Sequence, residues 1–371
     1  MKIGVLTSSR ADYSIYLPLL KKLEEDTFFD LQIIAFGTHN SPIHGNTIDA
    51  IKNDGFKKVD ALETMPSSDK PIDISKSQAK TIDAFADYYE NNQFDLVFAL
   101  GDRFEMFAAV AAGLPFNVKF AHIHGGETTL GAIDNAYRHG ISHMAKLHFP
   151  VCDEYKTRLV EMLGSDKNIF NVGALSIENL KNLQLLSVEE LKFKFQLDFS
   201  VPTILCTFHP ETVALEKNKT YTSNLLEAFR ALSKYQIVVT MPNADTMGNY
   251  IRQKLEEAAK PIKHLKLIES FGTIGYLSAM KHCAFMLGNT SSGFGEASYF
   301  PTPAINLGNR QDGRMRSPHI FDTPIDKNSI LESVNLVEQK RSSLKPLFPY
   351  GDGNTSTKIV EILKQINLGD L

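Results

Sequence analysis

Short runs rich in Val, Ile, Leu and Phe recur along the whole chain, each separated from the next by a longer stretch. In the first half they are KIGVLT (2–7), LQIIAF (31–36), DLVFAL (95–100), KFAHIH (119–124), LHFPV (147–151) and IFNVG (169–173). Helix-patterned segments at 16–25, 44–53, 76–92, 104–114, 132–146 and 153–163 lie between them. The second half repeats the scheme with TILCTF (203–208), QIVVTM (236–241), LKLI (265–268), AFMLG (284–288), PAINLG (303–308) and HIFDT (319–323). A strand that is apolar on both faces needs cover on both, and parallel strands joined by helices supply it. The pattern predicts an α/β chain of two doubly wound, Rossmann-like domains, 1–175 and 176–371, with a cleft between them. At 371 residues the chain is also too long for one ordinary core. A last helix at about 354–367, after the turn YGDGN, is a candidate to pack back onto the first domain.

Composition narrows the function. The chain is 43% hydrophobic and 22% charged with a net charge of −4, so no basic excess invites nucleic acid. Cys152, Cys206 and Cys283 match no metal or CxxC spacing, and their sparse, odd count argues against a disulfide framework. The start MKIGVLT reads as a strand rather than a signal peptide. No apolar run approaches the roughly 18 residues of a membrane span. The expectation is a cytoplasmic protein with no membrane insertion.

Ligands of open α/β sheets bind beyond the carboxyl ends of the strands. Polar clusters stand at many of these ends: SSRADYS, GDRFE, HGGE, FHPET, MPNADT, GNTSSGFGE and GNRQDGR. In GNTSSGFGEA (288–297) small residues let backbone approach an anion, and Thr290, Ser291 and Ser292 add hydroxyl donors at a helix start. Glu296 is placed to accept hydrogen bonds from sugar hydroxyls. A helix merely capped by Ser reads the same way. Arg10, Arg103, Arg310 and Arg314 all fall in strand-end loops, where a guanidinium fork suits phosphate oxygens. His209 is placed to meet a phosphate or leaving group, or to cap the next helix. The dinucleotide fingerprint GxGxxG does not follow the first strand, and no Walker A sequence occurs.

The stretch AHIHGGETTLGAIDNAYRH (121–139) carries the densest chemistry. His122 and His124 share a strand face, and His139 and His143 a helix face, so zinc is one reading. It lacks the Glu of H-E-x-x-H and an identifiable third ligand. Acid/base work fits better. Asp102, His124, Glu127 and Asp134 gather at adjacent strand ends, where neighbouring carboxylates separate each other's pKa values. Arg138, one turn after Asp134, is placed to hold that carboxylate.

With SRADYS (9–14), LGDRFE (100–105), HIHGGE (122–127), IDNAYRHGISH (133–143), FHPET (208–212), PNADT (242–246), GNTSSGFGE (288–296), INLGNRQDGR (305–314) and YGDGN (350–354) in order, the chain resembles the UDP-N-acetylglucosamine 2-epimerases. More narrowly it is similar to the hydrolysing, NeuC-type branch of bacterial sialic-acid biosynthesis. The resemblance implies a GT-B fold and conversion of UDP-N-acetylglucosamine and water to N-acetylmannosamine and UDP, with no redox cofactor and no metal. It implies a homodimer or homotetramer. It implies UDP contacts from Arg10, Ser14, Arg103, His209, Asn243, Phe271, Thr290, Ser291, Glu296, Arg310 and Arg314. It implies catalysis by Asp102, the residue at 124, Glu127 and Asp134, with Arg138 and His209 in support. Three departures stand out: His124 where many relatives have Glu, Ile15 where many have Lys, and Asn135 where a second Asp is common. A UDP-2,4-diacetamido-2,4,6-trideoxyglucose epimerase on the way to legionaminic acid shares these motifs. A GT-B glycosyltransferase or a UDP-sugar binding protein would share the UDP loop without needing the acid/base cluster.

Overall fold

The computed structural model describes all residues except 41–46, 66–67 and 243–244; for Asn40 and Asp370 only the backbone is described. Asn243 and the start of the helix expected at 44–53 therefore lie outside the described residues. The chain divides into two compact units: residues 1–127, 134–181 and 350–371 form the first, and 128–133 with 182–349 form the second. The chain thus passes between units at several points, where the sequence suggested one boundary near 175.

In the first unit β1 (Lys2–Thr7), α1 (Arg10–Glu25), β2 (Asp30–Ala35), α2 (Ile48–Asn53), β3 (Val59–Ala61), α3 (Pro71–Asn91), β4 (Leu96–Leu100), α4 (Phe104–Gly113), β5 (Phe120–Ile123), α5 (Asp134–Met144), β6 (Leu147–Phe149), α6 (Asp153–Leu163) and α7 (Leu175–Asn182) follow in order. Among the described residues the sheet is fully parallel, ordered β3-β2-β1-β4-β5-β6. β4 is buried along its whole length, as a strand covered by helices on both faces must be. The run at 169–173 does not become a strand; it pairs through a single bridge, Ile169 to His148.

The second unit adds α8 (Val188–Phe195), β7 (Thr203–Thr207), α9 (Asn218–Ala231), β8 (Gln236–Thr240), α10 (Gly248–Ala259), β9 (Leu265–Ile268), α11 (Gly272–His282), β10 (Phe285–Gly288), α12 (Glu296–Tyr299), β11 (Ala304–Leu307), β12 (Ile320–Thr323) and α13 (Lys327–Lys340). Its parallel sheet runs β12-β11-β10-β7-β8-β9. Local chemistry sets the helix ends. Ser187 and Glu190 form a reciprocal capping box on α8, and Asp326 caps α13.

The last helix, α14 (Thr355–Gln365), belongs to the first unit. Its Ile359 and Leu363 are fully buried in a core with Leu19, Leu20 and Leu23 of α1. Buried Glu178 fixes the start of α14, accepting from the Ser356 amide at 2.7 Å and the Ser356 hydroxyl at 2.5 Å.

Candidate functional site

In each sheet the strand order reverses once, and a doubly wound sheet opens for ligands at that reversal. In the first unit it falls between β1 and β4, so the loops from Ser8 and from Gly101 flank the opening. In the second it falls between β7 and β10, flanked by the loops from Phe208 and from Asn289.

The first opening gathers three of the expected catalytic residues. Asp102 follows β4, and its Oδ2 accepts from Arg138 NH2. Arg138, 2% exposed, sends NH1 to the His124 carbonyl at 2.8 Å, and the same nitrogen lies 3.6 Å from Glu127 Oε2. Glu127 Oε1 is 2.6 Å from His124 Nδ1. The fork of Arg138 therefore goes to Asp102, where the sequence pointed to Asp134. The carboxylates of Asp102 and Glu127 share a guanidinium between them. Asp134 opens α5, one turn ahead of Arg138. Gly126 makes the turn possible: at φ +80°, an added Cβ would collide with the Tyr155 carbonyl. Arg158 donates to the Gly126 carbonyl at 2.8 Å and fixes that turn.

His122 has a different task. Its ring is fully buried, with Nδ1 2.9 Å from the Ser142 hydroxyl and Nε2 2.8 Å from the Gly101 carbonyl. A carbonyl only accepts, so Nε2 carries the hydrogen and Nδ1 accepts from Ser142. Burial pushes this imidazole down to about 3, so it is neutral near pH 7. It ties β5 to the turn that presents Asp102, and both nitrogens a metal would use are engaged. Among the described residues no group of three or more His, Cys, Asp or Glu has metal-holding geometry.

The arginines and Ser14 are placed less simply. Arg10 is the exposed first residue of α1. Arg103 donates Nε and NH2 to Glu105 at 3.1 and 2.9 Å. Burial raises the carboxyls of Asp12 and Glu105, and Arg103 opposes both shifts. Ser14 is four residues before Pro18, which has no N–H to give its carbonyl. Asn179 supplies the missing donor at 2.7 Å.

In the second unit Asn289, fully buried, clasps the backbone of His209. Its Oδ1 accepts from the His209 amide at 2.7 Å and its Nδ2 donates to the His209 carbonyl at 2.8 Å. Gln311 Nε2 donates to the Asn289 carbonyl at 2.7 Å, and Arg314 Nε donates to Gln311 Oε1 at 2.6 Å. The loop from β10 can lie this close because Gly288 has no side chain; a Cβ there would collide with the Thr207 carbonyl. Thr290 and Ser292 hydroxyls sit 3.3 Å apart, and Tyr276 meets Ser292 at 2.7 Å. Burial raises the Tyr276 hydroxyl to about 12, so it stays protonated. Ser291 is exposed and Glu296 half-buried. The helix that begins at Glu296 has only four residues, so hydroxyls and loop amides carry more of any anion contact than a helix dipole does. Arg310 lies 3.9 Å from Asp245. Phe271 is buried, its ring packed edge-on against Phe195 at 4.8 Å. Asn289, Gln311 and Tyr276 escaped the sequence reading because their partners are distant in the chain. An Asn directly after the strand-ending Gly288 was the one visible signal.

The UDP-N-acetylglucosamine 2-epimerase family profile matches residues 21–364. The hydrolysing GDP/UDP-N,N'-diacetylbacillosamine 2-epimerase of Campylobacter jejuni is 34% identical over 370 residues, 99% of this chain and 96% of that protein. A polysialic acid biosynthesis protein of Escherichia coli is 32% identical, covering 94% of this chain and 90% of its own. The fold matches the UDP-GlcNAc 2-epimerase of Neisseria meningitidis bound to UDP-GlcNAc, with TM-score 0.81, 18% identity and 99% and 100% coverage. It also matches the Methanocaldococcus jannaschii enzyme in complex with UDP-GlcNAc and UDP, with TM-score 0.80, 19% identity and 98% and 99% coverage. Two doubly wound units, the order of the motifs and full-length similarity above 30% agree, and the chain belongs to the UDP-N-acetylglucosamine 2-epimerase family.

Proposed function

We propose that the chain is a hydrolysing UDP-sugar 2-epimerase that converts UDP-N-acetylglucosamine and water to N-acetylmannosamine and UDP. The observation that carries the reading is the chain of contacts Asp102–Arg138–Glu127–His124 at the opening of the first sheet. The C2 proton of the sugar is not beside a carbonyl, so departure of UDP from C1 must drive its loss. Elimination then gives a C1–C2 double bond; water adds at C1 and a proton returns to the opposite face of C2. Such a path needs acid/base groups around C1 and C2 and stabilisation of the leaving diphosphate. The first unit supplies the former from Asp102, His124, Glu127 and Asp134. His209, Thr290, Ser291, Glu296, Arg310 and Arg314 of the second unit are the proposed UDP contacts, with Arg10, Ser14 and Arg103 from the first. Release of the free sugar is supported by the hydrolysing relatives, and the product suits sialic-acid synthesis for a surface glycan. A cytoplasmic homodimer or homotetramer completes the proposal, with sizing by light scattering as its check.

A second reading has its own support. Relatives named for N,N'-diacetylbacillosamine are 34% and 31% identical to this chain over nearly its full length. UDP-2,4-diacetamido-2,4,6-trideoxyglucose is therefore the other substrate to offer. Each sugar is incubated with the protein in heavy water and followed by proton NMR. A free 2-epimeric sugar carrying deuterium at C2 is the expected product; its source identifies the substrate. A UDP-linked epimer as the end product removes the hydrolysing reading.

A further inference from the structure

His122 and His124 stand two residues apart, yet the protein uses them in opposite ways. Both nitrogens of His122 are taken by Ser142 and Gly101. Only one nitrogen of His124 is taken. Its Nδ1 meets Glu127 Oε1 at 2.6 Å, and its Nε2 has no hydrogen-bond partner among the described residues. The residue is also held at φ +66°, a left-handed conformation uncommon outside glycine. Outliers of this kind concentrate where a side chain must be aimed. The His124 amide bonds the Phe149 carbonyl at 3.2 Å, and its carbonyl accepts from Arg138, so the backbone is clamped on both sides of the bend.

The partner decides the tautomer. Glu127 is 2% exposed, and its other oxygen lies 3.6 Å from Arg138. A carboxylate beside a guanidinium is an acceptor, so the hydrogen of the neutral imidazole sits on Nδ1. Nε2 is then left with a bare lone pair, shielded from bulk water although the side chain as a whole is 15% exposed.

We propose that His124 Nε2 is the base that removes the C2 proton, and that Glu127 is the positioning residue that fixes its tautomer and orientation. The assignment rests on the epimerase reading above. In the step, the C2–H bond breaks and its proton passes to Nε2. Its electron pair becomes the C1–C2 double bond as the C1–O bond breaks, and UDP departs with that bond's pair. Glu127 faces the imidazolium that results.

The test is a two-by-two set: the parent chain, Glu127→Gln, His124→Glu and the double variant, each assayed on both UDP-sugars. Glu127→Gln in the parent background is expected to lower kcat roughly 10²–10⁴-fold, the range of a general base, with KM and UDP binding little changed. In the His124→Glu background the same change is expected to be neutral or to raise the rate. A carboxylate at 124 has no tautomer to set, and it stands against the like charge of Glu127. An equal penalty in both backgrounds overturns the assignment. So does a large rise in KM at constant kcat. Should a variant fail to fold, the nitrogen-15 shifts of His124 in the parent chain decide: hydrogen on Nδ1 supports the proposal and hydrogen on Nε2 overturns it. A parent chain that turns over neither sugar overturns the epimerase reading and this assignment together. An active parent that fails the cycle overturns the assignment alone.

Discussion

A single guanidinium holds three of the residues on which the proposed chemistry depends. Arg138 reaches the Asp102 carboxylate, the His124 carbonyl and the neighbourhood of Glu127 from one buried position on α5. Lys at 138 would keep the charge but present one point where three partners need a fork. We expect Arg138→Lys to lower kcat strongly while UDP still binds, as measured by steady-state kinetics beside calorimetry with UDP. Asp102→Asn removes a proposed acid/base group and is expected to cost roughly 10²–10⁴-fold in turnover, the usual worth of such a group. Either variant at the parent rate takes its residue out of the mechanism. Which residue types gather at this opening was visible in the sequence, because the motifs follow predicted strands. Which side chain holds which was not. Arg103 turns to Glu105, two residues on, and Arg138 to Asp102, 36 residues back; spacing alone ranks neither above its alternatives.

At the scale of elements, the second opening depends on Asn289, a side chain with no expected role. It joins the end of β7 to the loop after β10, across 80 residues of sequence. Asn289→Ala leaves a buried amide and a buried carbonyl without partners, at about 1–3 kcal/mol for each such group. We expect a clear fall in Tm by calorimetry together with weaker UDP binding, since His209 loses its support. Unchanged UDP affinity would separate the clasp from the proposed nucleotide site. The strands themselves were largely readable, since apolar runs bounded by polar turns are what a doubly covered sheet demands. β3 was missed because Val59–Ala61 carries a polar residue at its centre and is only three residues long. The run at 169–173 was over-read because an apolar run that pairs at one bridge looks the same in sequence as one that pairs along its length.

For the whole molecule, acid is expected to act first on the first unit. His122 is pushed down to about 3, and His39 and His148 to about 4, in each case chiefly by burial. Unfolded histidines take up protons near pH 6.5. For these three groups the unfolded chain binds more protons between that value and the folded ones, so their contribution is full above about pH 6.5 and is lost as pH falls, while the raised carboxyls of Asp12 and Glu105 act in the opposite sense. Each group contributes on the order of 1.4 kcal/mol per pH unit in that window. Melting curves from pH 7 to pH 4.5 should show Tm moving down, with His122→Gln flattening the dependence; a pH-independent Tm would refute it. The two-unit plan followed from the repetition of the run pattern, and the last helix was already a candidate to return to the first domain, as it does; the passage of residues 128–133 into the second unit was not legible, because their contacts are long-range. That return has a consequence for synthesis. Leu19, Leu20 and Leu23 of α1 share their core with Ile359 and Leu363 of α14. On a ribosome, α1 emerges early and its partner helix only after the whole second unit has been made, roughly a quarter-minute to a minute later at ordinary elongation rates. Until then the part of the α1 apolar face that α14 covers stays open, although the sheet side of α1 can already pack on β1 and β2, so the nascent first unit is the natural client for a chaperone, while the second unit can finish folding before it.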